Sequence, residues 1–249
     1  MWQSPRGVRA KVLNGYDLAL ARRVLVAGLL LGASAFAVAA ATDEADASTA
    51  DRLARLAALL PVLGALAASL VVAQARSRGE LRALHAMGVE PARAVRGAWL
   101  GAVLVGLMGV ALVGSKAADI GSLFPRIDGP TAWVFVDERW MDASTGLLVH
   151  SSGDVELGAA PLRAPAGPSL LEPATLLTLA LASFAVPAWA LASCSATRRF
   201  VVALGASLAA VTLFHLVAAG RLSPFALTAI PLSLLGDLCL RGTRVSAGA

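Results

Sequence analysis

The sequence is poor in charge: Asp, Glu, Lys and Arg make up 15% of its 249 residues, where a soluble domain carries about 25%. Such a chain cannot cover an ordinary globular surface with ionised groups, so a soluble fold is excluded. Cysteine is nearly absent, and the two present, Cys194 and Cys239, exclude a disulfide scaffold and a four-cysteine metal site. The three histidines, His85, His150 and His215, are scattered, with no His-x-x-x-His or Glu-x-x-His pair, and no metal site is expected. There is no Gly-Lys-Ser/Thr phosphate loop and no Gly-x-Ser-x-Gly turn. The residues thus offer no catalytic constellation and no cofactor motif, and any ATP must be hydrolysed by another chain.

What the sequence has in quantity is apolar length. Runs at Val24–Ala41, Leu56–Ala75, Gly97–Gly114, Leu170–Ser193, Phe200–Ala219 and Leu222–Leu240 are each long enough to cross a hydrocarbon core of ~30 Å. None shows the alternation of a barrel strand, so each must satisfy its backbone hydrogen bonds internally, as a helix. The expectation is an all-α membrane protein of six transmembrane helices with a small β insertion between helices 3 and 4. Its parts are 1–114 (helices 1–3), 115–169 (the insertion) and 170–249 (helices 4–6 and a short tail).

Six crossings put both termini on one side, and basic residues choose it. Fourteen Lys and Arg, with four acids, fall on the side of the termini, in 6–23, 76–96, 198–199 and 237–244. Seven basic residues and twelve acids fall on the other. The resulting +10 inside and −5 outside make the overall +5 a topology signal rather than a nucleic-acid footprint. This implies a multi-pass membrane protein with cytoplasmic termini. A cleaved secretory signal ending near Ala39-Ala40-Ala41 is the competing reading, but the first run exceeds the usual signal core of about 7 to 15 residues.

Two connections stand out. The long external one, 115–169, contains three strand-like stretches: Thr131–Met141, Leu147–Ser151 and Val155–Leu157. Between them lie turns at Ala143–Gly146 and Ser152–Asp154. Pro161, Pro165 and Pro168 make the return a semi-rigid connector. The cytoplasmic connection, Arg76–Arg96, carries apolar Leu81, Leu84 and Met87 at helical spacing, with Glu80, Arg82 and His85 off that stripe. Gly88 is suited to a helix C-cap and Pro91 prevents simple continuation, so a short amphipathic helix over about 79–88 is expected.

Leu59-Leu60-Pro61 in the second run, then Gly79-Glu80-Leu81-Arg82-Ala83-Leu84-His85-Ala86-Met87-Gly88-Val89 and a basic re-entry, resemble the LptF/LptG permeases of lipopolysaccharide export. In that family a Glu-Leu-x-Ala-Leu-x-Ala-x-Gly stretch forms the coupling helix seated in a cytosolic ATPase. Glu80, Leu81, Ala83, Leu84, Ala86 and Gly88 match it by position, and Met87 extends the stripe. Gly220–Pro224 and Ile230-Pro231 also resemble the family's last hairpin. The resemblance implies a non-catalytic permease subunit of an ABC transporter for a lipid or amphiphile, partnered by a cytosolic ABC ATPase, a second permease subunit and membrane lipid. Leu81 and Leu84 would be the apolar anchors in the ATPase groove, with Glu80 the charge beside them. The family's β-jellyroll is about twice as long as the insertion here, and three short strands are too few to enclose a whole lipid.

The remaining polar residues have ordinary readings. Glu172 suits the first turn of a helix, Asp237 a local pair with Arg241, and His215 an interfacial position. Arg22 and Arg23 read as interfacial anchors or as lipid-headgroup contacts. A secondary carrier would need ionisable groups at mid-membrane, which these spans lack. An accessory or scaffold membrane protein is the third reading.

Overall fold

A computed structural model describes residues 5–42, 48–124, 133–136, 139–142, 147–150, 152–157, 170–192, 196–219 and 221–246. The helices are α1 (Pro5–Thr42), α2 (Thr49–Ser77), α3 (Glu80–Ala86), α4 (Pro91–Ala94), α5 (Arg96–Gly114), α6 (Leu171–Leu191), α7 (Ala196–Ala218) and α8 (Ala229–Ser246). Strands β1 (Trp133–Val136), β2 (Arg139–Asp142), β3 (Leu147–His150) and β4 (Val155–Leu157) lie between α5 and α6 in the chain. The turn at 143–146, the connector at 159–168 and Cys194 lie outside the described residues.

Among the described residues, five helices are long and apolar enough to cross a membrane: Asn14–Thr42, Thr49–Ser77, Arg96–Gly114, Leu171–Leu191 and Phe200–Ala218. The chain is therefore a multi-pass membrane protein in its architecture. The first two helices begin well before their apolar runs, because the flanking charges are compatible with helix while only the run itself suits lipid. A capping box opens α2: Ser48 accepts from the Asp51 amide at 3.2 Å and the Asp51 carboxylate accepts from the Ser48 amide at 3.0 Å. The sixth expected run is divided. Pro224–Thr228 forms a 3-10 turn that leads into α8, and the apolar stretch Pro224–Leu240 is shorter than the other five.

Glycine and alanine decide how the helices pack. α5 lies at the centre. A side chain at Gly101 would meet the Ala21 carbonyl of α1 at 2.6 Å, one at Gly109 the Ala57 carbonyl of α2 at 2.6 Å, and one at Gly106 the Ser183 hydroxyl of α6 at 2.5 Å. Gly97 lies equally close to the backbone of Asp17. One core joins Leu20 and Val24 of α1, Ala67, Ala68 and Val71 of α2, and Ala98 and Ala102 of α5. A second joins Ala54 and Ala57 to Val113, Ile120 and Leu179 at the other end of the bundle. The third and smallest ties Ala185 and Trp189 of α6 to Leu234 of α8, with Val202 and Ala206 of α7 against it.

The insertion is a four-stranded antiparallel meander in the order β1-β2-β3-β4, not three strands. The stretch expected as one strand is two, paired Trp133 to Asp142 and Val136 to Arg139, so that Asp137 and Glu138 separate them. β3 and β4 turn through Gly153, whose φ of +89° suits glycine, and His150 Nε2 lies 3.2 Å from Glu156 across the pair. The described strands form an open sheet, neither a barrel nor a jellyroll.

Candidate functional site

The link between α2 and α5 is built to project a short helix without loosening it. Gly79 (φ +76°) reverses the chain after α2, and Gly88 (φ +77°) ends α3 in the left-handed conformation an L side chain resists. At that end the Val89 amide donates to the Leu84 carbonyl at 3.0 Å and the Gly88 amide to the His85 carbonyl at 2.9 Å. Val89 also packs on the core that holds Leu84, which completes a Schellman stop. Pro91 then opens α4 at a position where its missing N–H is harmless.

The orientation of α3 corrects one expectation. Leu81 and Leu84 are 6% and 5% exposed, in the same core as Leu20, Val24, Val71 and Ala98, so they anchor α3 to its own bundle and cannot enter a partner's groove. Glu80 also faces inward. The Arg23 Nη1 donates to both its carboxylate oxygens at 3.2 Å, which joins α3 to α1. The outward face consists of Arg82, Ala83, His85, Ala86, Met87 and Gly88, all exposed. An apolar stripe on a short helix shows that one face must be covered, and the bundle itself covers this one.

Arg23 and Glu80 stand 57 residues apart and were assigned to different tasks, headgroup contact and ATPase coupling; the fold makes them one ion pair. Arg22 is exposed, and with Arg23, Val26, Leu30 and Gln74 it borders a groove of about 540 Å³ between α1 and α2. Glu172 is exposed in the first turn of α6, where an acid favours the helix dipole. Asp237 accepts a hydrogen bond from the Trp189 indole at 3.1 Å, a link between α8 and α6 that a search for local i,i+4 pairs could not find. His215 is exposed near the end of α7, edge-on to Phe214, whose ring stacks on Phe124 at 4.9 Å.

Beside α3 lies a groove of about 1030 Å³, between the ends of α2, α5 and α6 and the α3–α4 link. Arg76, Arg93 and Arg96 border it together with Trp99, whose indole donates to the Phe184 carbonyl at 3.4 Å. In the sequence these arginines counted only toward orientation, because nothing local signals that they share a groove. No three of the described His, Cys, Asp and Glu residues cluster as metal ligands would.

Comparison with protein-family models, curated proteins and solved structures finds no match to this chain.

Proposed function

We propose that this chain is a non-catalytic membrane subunit of a transporter, similar in plan to the LptF/LptG permeases, that takes its energy from a separate cytosolic ATPase through α3. The observation that carries this reading is the two-sided character of α3. Its inner face is fixed to α1, α2 and α5 by Leu81, Leu84 and the Glu80–Arg23 pair, while Ala83, Met87 and Gly88 lie open to a partner. A coupling element needs both faces, since a displacement imposed on the outer one must reach the spans through the inner one. Without a nucleotide loop in the sequence, that displacement has to come from another protein. The exposed apolar faces of α7 and α1, including Phe200, Leu204, Leu208 and Leu30, are open to lipid or to a second permease subunit, and this reading places that subunit there. In this reading the Pro224–Leu240 segment makes the sixth crossing, the termini and α3 are cytoplasmic, the sheet is external, and the membrane is a bacterial inner membrane. The cargo is a lipid or amphiphile.

Copurification of an ATPase from native membranes tests the reading. Ala83→Arg with Met87→Asp should weaken association roughly thirtyfold or more, the effect of losing an interface anchor of about 2 kcal/mol, while expression stays normal. An unchanged ATPase yield would sink the proposal in favour of an accessory membrane protein. Cysteines placed at Ser77 and Ser144 should be labelled from opposite sides of the membrane; labelling from one side would end the six-span arrangement.

A further inference from the structure

We infer that the groove between α5, α6 and the α3–α4 link holds the headgroup of one anionic phospholipid from the leaflet on the α3 side. This goes beyond the transport reading and needs only the membrane.

Arg76, Arg93 and Arg96 converge on the groove from the end of α2, from α4 and from the start of α5, and among the described residues Glu90 is the only acid that borders it. All three guanidinium groups are exposed, and among the described residues none is ion-paired, in contrast to Arg23 with Glu80. Arginine's planar fork matches the oxygens of a phosphate, and three such groups around one acid leave a surplus of positive charge. The opposite wall is apolar: Val72 of α2, Trp99 of α5 and Leu191 of α6 border the same space. All three residues belong to helices long enough to cross the membrane. Each lies within about two turns of the end of its helix, so with these helices in the bilayer that half of the groove sits at the membrane boundary, within reach of the first methylenes of a lipid. Tryptophan at this depth is typical of the membrane–water boundary. The groove thus pairs a basic rim at headgroup level with an acyl-chain wall beneath it. It is separate from the groove beside Arg22, which shares none of these residues.

The test uses the full-length protein in nanodiscs of dioleoylphosphatidylcholine with a minor fraction of dioleoylphosphatidylglycerol, and native mass spectrometry to count the lipids retained. The unaltered protein should retain phosphatidylglycerol in preference to phosphatidylcholine. Arg93→Gln with Arg96→Gln should cut that preference roughly tenfold or more, given the strength of basic side chains at an anionic surface. A charge-matched pair outside the groove, Arg78→Gln with Arg82→Gln, should leave it within about twofold. Equal losses from both pairs would mean diffuse surface attraction and would overturn the site, as would an unaltered protein with no preference. Complete displacement of the lipid by soluble glycerol phosphate would show that the apolar wall takes no part and would overturn the lipid assignment. Unchanged thermal unfolding is the control for folding, and should the double variant fail it, Arg76→Gln carries the same comparison.

Discussion

The two ends of the chain pack by different rules. α2 and α5 have half of their most apolar window buried, whereas α7, just as apolar, has 6%. α2 and α5 meet each other through Gly64 and Gly109, and α5 meets α1 through Gly101, each glycine facing a backbone carbonyl of the neighbouring helix. In α7, Gly205 faces open space. Hydropathy alone thus says that a helix can enter lipid and nothing about what it touches there, because lipid tails and leucine side chains are equally apolar. Close backbone approach is what separates a helix of the bundle from one left open to lipid or to another subunit. α7 is held by Phe214 on Phe124, by its contact with the 3-10 turn at Pro224–Thr228, and by Val202 and Ala206 against the smallest core.

The sharpest way to break this contrast is to enlarge one glycine in each region. Gly101→Leu should cost about 3 kcal/mol or more, because a side chain there meets the Ala21 backbone, and should lower the unfolding temperature in detergent by roughly 6 °C or more. Gly205→Leu, with free space around it, should leave that temperature within about 1 °C. Next comes the inner face of α3 against its outer face. Leu84→Asp buries an unpaired carboxylate in the core and should destabilise by about 3 kcal/mol, while Met87→Asp on the exposed side should be nearly neutral in the same melting assay.

A smaller effect is expected where α8 docks. Trp189→Phe removes the donor to Asp237 and should destabilise by about 1 kcal/mol, read as faster proteolysis of the carboxy-terminal segment. The smallest belongs to the ion pair between α1 and α3. Arg23 and Glu80 keep 43% and 25% of their side-chain surface, so Glu80→Gln should cost no more than about 0.5 kcal/mol, and less in high salt. A larger loss, insensitive to salt, would show that the pair is more shielded than its surface implies.

Legibility from sequence followed the range of the signal. Five of the six apolar runs became long apolar helices, because lipid compatibility is a local property of some twenty residues. The sixth is divided between the 3-10 turn that Pro224 opens and α8, and its apolar stretch, Pro224–Leu240, is shorter than the other five. The β insertion was recognised from its branched and aromatic residues, but Asp137-Glu138 was read as strand and turned out to separate two. α3 was placed within a residue or two, since Gly79, Gly88 and Pro91 are chain punctuation. Its facing was not legible: Leu81 and Leu84 announce an apolar side, and only the fold reveals that Leu20, Val71 and Ala98 cover it. The meeting of Arg23 with Glu80 and the convergence of three arginines on one groove are likewise products of tertiary structure.

The glycines of α5 carry one more consequence. Where this helix meets Ala21 and Ala57 the touching residues are glycine and alanine, which have no side-chain rotamers to surrender, and half of the core beside it is alanine. Burying a leucine costs about 0.5 to 1 kcal/mol in lost rotamer freedom, whereas burying glycine or alanine costs essentially none. The centre of the bundle therefore closes with little entropy lost by its side chains, and heating has few frozen rotamers there to release.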